Sequence, residues 1–336
     1  MTPPMLAAAS THVEAFRCTG TSPGRTGRVT ATLDLDGGRS ETSICYEVHG
    51  PAHAPAIVVL GGISAGRHLA PTASDTRLGW WRDVVGTGAA LDPARHRLIG
   101  IDYLAGPARS ASSRLPASVS SQNQAWAVAA VLDSIGVERV TFVGSSYGGM
   151  VGLAFAQLFG ERLHRLIVLC AAHRTHPMAT GLRAIQRRIV RFSVDAGRPV
   201  EGLAIARALA MTTYRSSLEF DSRFDWRPLD GSASGFPVEE YLEACGSAFV
   251  EHFDPEAYLS LSHSIDAHAV DPTEVAAPTT LVSFDTDALV PPWLADELAE
   301  RAPGVERHIA LSSIYGHDAF LKEVRLVSDV IREVLR

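Results

Sequence analysis

Hydrophobic and polar positions change rhythm repeatedly along this chain. From Arg28 the stretch RVTATLDLDGG alternates with period two up to a glycine pair, and TSICYEVHG follows, the pattern of a hairpin. Ala56–Leu60 is instead continuously apolar and stops at Gly61-Gly62, as a strand covered on both faces does. Residues 97–102 repeat that form and run into a loop rich in Gly, Pro and Ser, and between the two runs Trp80-Trp81 and Val84-Val85 stand at helical spacing. Residues 119–136 predict a helix, with Trp126, Ala130, Val131 and Ile135 on one face and Gly136 at its end. A strand over 140–143, a tight turn, a helix over 150–159 and a strand over 166–170 follow. Strands alternating with helices imply right-handed crossovers and a largely parallel sheet with helices on both faces.

The rhythm breaks near His173. Residues 173–268 carry helical periods such as GLAIARALAMTTY and EEYLEACGSAF, with no buried strand, and read as a helical cap inserted into the sheet domain. The alternation resumes with the strand Thr279–Phe284, the helix Pro292–Arg301, a strand over 306–311 and a last helix over 319–335. The expected organisation is therefore a core of 26–172 and 269–336, a cap of 173–268, and a loose arm over 1–25.

Composition narrows the function classes. The chain has 336 residues, 46% apolar and 20% charged, the balance of a folded globular protein. A formal net charge of −7 argues against a nucleic-acid partner. The one strongly basic stretch, from Arg183 to Arg191, is expected to be a solvated helix face, with a polyanion such as a CoA phosphate as the alternative. Cys18, Cys45, Cys170 and Cys245 lack metal-like spacing and suit free thiols in a reducing cytoplasm. No apolar run is long enough for a membrane helix, so no membrane partner is expected.

Gly144-Ser145-Ser146-Tyr147-Gly148 fits G-x-S-x-G between a strand and a helix, the setting of a nucleophile elbow in an α/β-hydrolase fold. Ser146 then requires a base and an orienting acid, in the chain order Ser, Asp/Glu, His. Two loops past the ends of late strands supply them: Asp285-Thr286-Asp287 and Gly316-His317-Asp318. His317 is the base; Asp287 is preferred by position, with Asp285 the alternative. His68, His173 and His176 are expected on the surface or in loops. The backbone N–H groups of Tyr147 and Gly62 are the expected oxyanion donors.

With these residues placed, the chain resembles the MetX-type homoserine O-acyltransferases. The likeness runs from about Ile57 to the C-terminus and rests on GSSYGGM around Ser146, GLAIARALAMTTYRSSLEFDSRF from Gly202, DALVPP from Asp287 and GHDAFL from Gly316. It implies a Ser146–Asp287–His317 triad, favouring Asp287 over Asp285. It also implies an amino-acid clamp in which Arg207 and Tyr214 hold the substrate and Asp318 receives its amino group. Ping-pong transfer of acetyl or succinyl from acyl-CoA to L-homoserine follows, in a cytoplasmic homodimer, with no metal or bound cofactor and CoA entering as a substrate. Serine acylation and carboxylesterase activity are the rival readings. The chain departs from the family's usual residues at Tyr147, at Leu60-Gly61-Gly62-Ile63-Ser64 and in AGPARSASS from Ala105. In those altered loops Arg67 and Arg109 are candidate partners for a succinyl carboxylate, and both donors stay open.

Overall fold

The alternating segment builds a long hairpin at one edge of the sheet in the computed structural model, which describes residues 12–14, 24–35, 38–72, 75–107, 119–229 and 235–336. β1 (His12–Glu14) pairs antiparallel with β2 (Gly24–Leu35), and β2 with β3 (Gly38–His49). Val29, Ala31, Leu33 and Leu35 of β2 turn one face into the core, as period two requires. The arm expected over 1–25 is thus corrected in part: residues 12–14 and 24–25 belong to the sheet, and its remainder lies outside the described residues.

β4 (Ala56–Leu60), β5 (Arg97–Ile101), β6 (Val140–Ser145), β7 (Leu163–Leu169), β8 (Thr279–Phe284) and β9 (Val305–Leu311) complete a nine-stranded sheet in the order β1-β2-β3-β5-β4-β6-β7-β8-β9 among the described residues. The pairs from β5 to β9 are parallel. Their continuous apolar runs divide between two cores. Val58, Leu60 and Phe142 pack with the helices α1 (Ser121–Ser134) and α2 (Tyr147–Phe159), whereas Ile57, Val59 and Val143 face the opposite side. Both faces are covered, so neither alternates with polar residues.

The cap segment contributes α3 (Pro177–Asp195), α4 (Pro199–Tyr214), α5 (Ser217–Arg223), α6 (Pro237–Val250) and α7 (Pro255–Asp266). Proline opens α3, α4, α6 and α7, where its missing N–H costs nothing. The two chain crossings into this segment meet in a short ribbon, where Val270 N–H donates to the His173 carbonyl at 2.9 Å and Arg174 bridges Ala269.

α8 (Pro292–Arg301), α9 (Ala319–Lys322) and α10 (Val324–Val334) follow. The single helix expected over 319–335 is broken at Glu323, whose ψ of 54° is not helical. The helix suggested by Trp80-Trp81 and Val84-Val85 is a series of turns. There the tryptophans stack at 5.1 Å and Trp81 donates to the Phe320 carbonyl, so tertiary contacts account for the apolar spacing.

Candidate active site

β6 ends at Ser145 and α2 begins at Tyr147, leaving Ser146 to turn the corner alone. Its φ of 53° and ψ of −121° lie in a region that L-residues rarely adopt. The flanking glycines make this possible. A Cβ on Gly144 would stand 2.3 Å from the Gly148 carbonyl oxygen, and one on Gly148 would stand 2.2 Å from that of Leu60. The turn presents the Ser146 hydroxyl at the first turn of α2, where unpaired N–H groups point toward developing negative charge.

The two loops expected to complete a triad do meet Ser146. Ser146 Oγ lies 2.8 Å from His317 Nε2, and His317 Nδ1 lies 2.7 Å from Asp287 Oδ2. The other carboxylate oxygen of Asp287 accepts the N–H groups of Leu289 and Val290, each at 2.9 Å, so its orientation is set by its own loop. Asp285 is used differently: it accepts from Ser312 Oγ at 2.7 Å and Ser313 N–H at 3.0 Å, tying the β8 loop to the loop that carries the histidine. Burial pulls the His317 imidazolium down, but the Asp287 carboxylate, aided by Asp318, outweighs it and leaves the pKa above the ordinary 6.5. Cys170 Sγ, Asp287 and His317 offer ligand atoms within 4.8 Å of one another, yet the last two already bond to each other as base and acid.

Gly62 stands across from the nucleophile, a Cβ built on it falling 3.9 Å from Ser146 Oγ. Its N–H and that of Tyr147 have no backbone acceptor among the described residues, while the carbonyls beside them are engaged: Gly61 O accepts from Gly148 N–H at 2.8 Å and Gly62 O from Ala65 N–H at 2.8 Å. These two N–H groups are free to meet an oxyanion.

A cavity of about 210 Å³ opens above Ser146 and His317. From the cap it takes Arg207, Tyr214, Arg183 and Gln186, and from the histidine loop Asp318. Arg207 sits 5.2 Å from the Tyr214 ring and 4.8 Å from that of Phe249, with no carboxylate bonded to it among the described residues. Tyr214 lies 6.2 Å from the His317 ring. Gly316, with φ of 60°, lets the end of α4 settle on this loop, since a Cβ there would stand 2.8 Å from both Tyr214 O and Ser216 N. Burial raises the Asp318 carboxyl above its ordinary range against the pull of Arg215, His317 and Arg207, and Arg215 Nε approaches it at 3.2 Å.

Arg67 is not among the residues lining the cavity; its guanidinium is bound to Asp102, which also accepts its backbone N–H at 2.8 Å. Arg109 lies outside the described residues. The basic stretch departs from a solvated face: Arg183 and Arg187 turn inward onto Asp266 at 2.7 and 2.6 Å, and Arg188 and Arg191 alone among its arginines stay exposed. His173 lies in a loop, one of the two places expected for it, but is buried there, with Glu297 approaching its Nε2 at 3.3 Å.

A model of the α/β hydrolase fold matches residues 55–324. The chain is 43% identical to the homoserine O-succinyltransferase of Xanthomonas campestris pv. campestris, covering 89% of this chain and 80% of that one. It is 31% identical to the serine O-succinyltransferase of Litchfieldella anticariensis, covering 87% and 92%. The chain belongs to the O-acyltransferase family of the α/β-hydrolase fold. In shape it matches the homoserine O-acetyltransferase of Bacillus anthracis with a TM-score of 0.83, at 17% identity over 93% of this chain and 98% of the other.

For an O-acyltransferase the feature that sequence reasoning missed is Arg183. One of its terminal nitrogens is buried with no hydrogen-bond partner among the described residues, although Nε reaches Asp266. Its charge is felt at His317, whose pKa it works to lower. The density of arginines in α3 was the available signal. Which of them faced inward depended on Asp266, far along the chain on α7.

Proposed function

We propose that this enzyme transfers an acyl group from acyl-CoA to the hydroxyl of L-homoserine through an acyl-Ser146 intermediate, with succinyl the preferred donor group. The observation that carries the acceptor is the presence, in the cavity over the Ser146–His317 pair, of a guanidinium without a carboxylate partner among the described residues and a buried carboxylate. Arg207 offers a fork for the carboxylate of an amino acid and Asp318 an acceptor for its ammonium. Arg183, which lines the same cavity, supports succinyl, because its positive charge suits a donor ending in a carboxylate and offers nothing to an acetyl group. The relative from Xanthomonas bears a name with the same donor and acceptor.

In the reading we propose, His317 takes the Ser146 proton while Asp287 holds the imidazole ring and stabilises its positive charge. Ser146 Oγ attacks the thioester carbonyl, and the N–H groups of Gly62 and Tyr147 hold the resulting oxyanion. The C–S bond breaks, His317 returns its proton to the departing CoA thiolate, and the acyl group stays on Ser146. The homoserine hydroxyl then gives its proton to His317 and attacks the acyl-serine, regenerating the Ser146 hydroxyl as the ester leaves. Side chains and backbone groups supply each proton and charge, with CoA as a co-substrate. The cap covers the intermediate and limits attack by water.

Homodimerisation belongs to the same reading. Met178, Ile185 and Phe192 recur every seven residues on α3 and are 65%, 50% and 77% exposed, an apolar stripe that a second copy would cover. The free thiols of Cys45, Cys170 and Cys245 suit a reducing compartment such as the cytoplasm.

The acyl-enzyme tests the mechanism directly. Mixing with succinyl-CoA in the absence of acceptor is expected to leave succinyl on the peptide containing Ser146, seen by mass spectrometry, and homoserine is expected to remove it. An unmodified Ser146 under rapid quench, with product still forming, would rule out the two-step route; Ser146→Ala is expected to carry no acyl group.

A further inference from the structure

We propose that Tyr103 is a positioning residue for the oxyanion hole, acting through the peptide unit that joins Gly61 to Gly62. Tyr103 follows β5 and is 5% exposed. Its hydroxyl donates to the Gly61 carbonyl at 2.5 Å, and the same carbonyl accepts from Gly148 N–H at 2.8 Å. Loops from the ends of β4, β5 and β6 therefore converge on one oxygen atom.

That oxygen and the Gly62 N–H belong to a single peptide unit. The unit is planar and trans, so its C=O and N–H point in opposite directions. Fixing the Gly61 carbonyl against Tyr103 and Gly148 aims the Gly62 N–H the other way, toward the space beside Ser146 Oγ. A glycine pair offers little resistance to rotation of the plane between them, and turning it over would break both bonds to the carbonyl. Without such a lock the donor would have to be ordered during the reaction, whereas a preorganised donor needs no rearrangement.

Neighbouring contacts hold Tyr103 in place. Gln124 accepts from Leu104 N–H at 2.9 Å and donates to the Leu104 carbonyl at 3.1 Å, clamping the next residue. The Tyr103 ring lies 5.0 Å from that of Tyr147, whose hydroxyl pairs with Ser264 of α7 at 2.5 Å. The residue supplying one oxyanion N–H thus packs on the residue that orients the other.

This inference rests on Gly62 serving acyl transfer, and its test separates the two claims. Phosphonylation of Ser146 by a fluorophosphonate probe uses the same oxyanion hole and needs no acceptor or CoA. In Tyr103→Phe, where the ring and the Gly148 bond remain, labelling rate and kcat are both expected to fall about tenfold. KM for homoserine is expected to change less than about twofold. Labelling and kcat at the wild-type level would overturn the proposal, as would a rise in KM with kcat unchanged. Should the variant fail to fold, fluorotyrosine at position 103 keeps the shape and alters only donor strength. Labelling that follows the acidity of the phenol supports the lock, and labelling indifferent to it overturns the lock. A wild-type enzyme that labels normally but never turns over homoserine would defeat the transferase reading and leave the Tyr103 comparison intact.

Discussion

The strand-end corner and the cap wall enclose the same cavity but are built by different means. At the corner, Ser146, His317 and Asp287 are placed by backbone: a strained turn between glycines, a loop pinned by Asp285, and a carboxylate held by the N–H groups of its own loop. On the cap, Arg183 and Arg207 are placed by side-chain partners from other helices, Asp266 on α7 and Phe249 on α6. The corner supplies chemistry indifferent to what lies beyond the carbonyl. In the reading proposed above, the cap supplies the charges that distinguish one substrate from another.

A substitution confined to the cap wall should therefore separate donors, and this is the largest effect that would sharpen the contrast. Arg183→Leu keeps the Asp266–Arg187 pair, so Asp266 is not stranded. The variant is expected to lose about 100-fold in kcat/KM for succinyl-CoA, the scale of one buried charge-assisted contact. Its use of acetyl-CoA should stay within about threefold. Equal losses with both donors, measured as steady-state CoA release, would mean that Arg183 acts on the shared chemistry and would erase the distinction. Tyr103→Phe, with its smaller expected loss, should behave in the opposite way and affect both donors alike.

How far the sequence was legible follows the same division. The G-x-S-x-G turn, the strand before it and the two later loops could be placed because each depends on neighbours within a few residues, glycine at the turn and apolar runs on the strands. Arg183 could not be placed, because its inward direction is set by Asp266, 83 residues away. Arg67 illustrates the converse. Residues 62–65, just before it, line the cavity, but Asp102, 35 residues on, holds its guanidinium. Position favours Asp287 and leaves Asp285 as the alternative; hydrogen bonds from Ser312 and Ser313 to Asp285, against the pairing of Asp287 with His317, separate them.

A smaller effect probes the seam between the core and the cap. His268 is fully buried where the chain returns to the core, its Nδ1 paired with Ser121 Oγ at 2.7 Å and its Nε2 with the Ala172 carbonyl at 3.1 Å. Burial lowers its pKa to about 4, from 6.5. A lowered histidine pKa means that the unfolded chain binds the proton more readily. Its contribution to stability is therefore complete above pH 6.5 and is lost as pH falls toward about 4. Between pH 7 and pH 5 this amounts to about 2 kcal/mol. Urea unfolding at the two pH values should show that loss in the wild type and a smaller one in His268→Gln. An unchanged loss in the variant would assign the acid sensitivity to other groups.

The central claim, that one cavity joins triad chemistry to recognition of an amino acid and an anionic acyl group, is tested most directly by release of CoA. Purified enzyme would be given succinyl-CoA or acetyl-CoA, each with L-homoserine, L-serine or no acceptor. The expected result is fastest release from succinyl-CoA, dependent on homoserine. Release at one rate with or without an amino acid would contradict the claim, because water would then be the acceptor and the charges of Arg207 and Asp318 would have no part in the reaction.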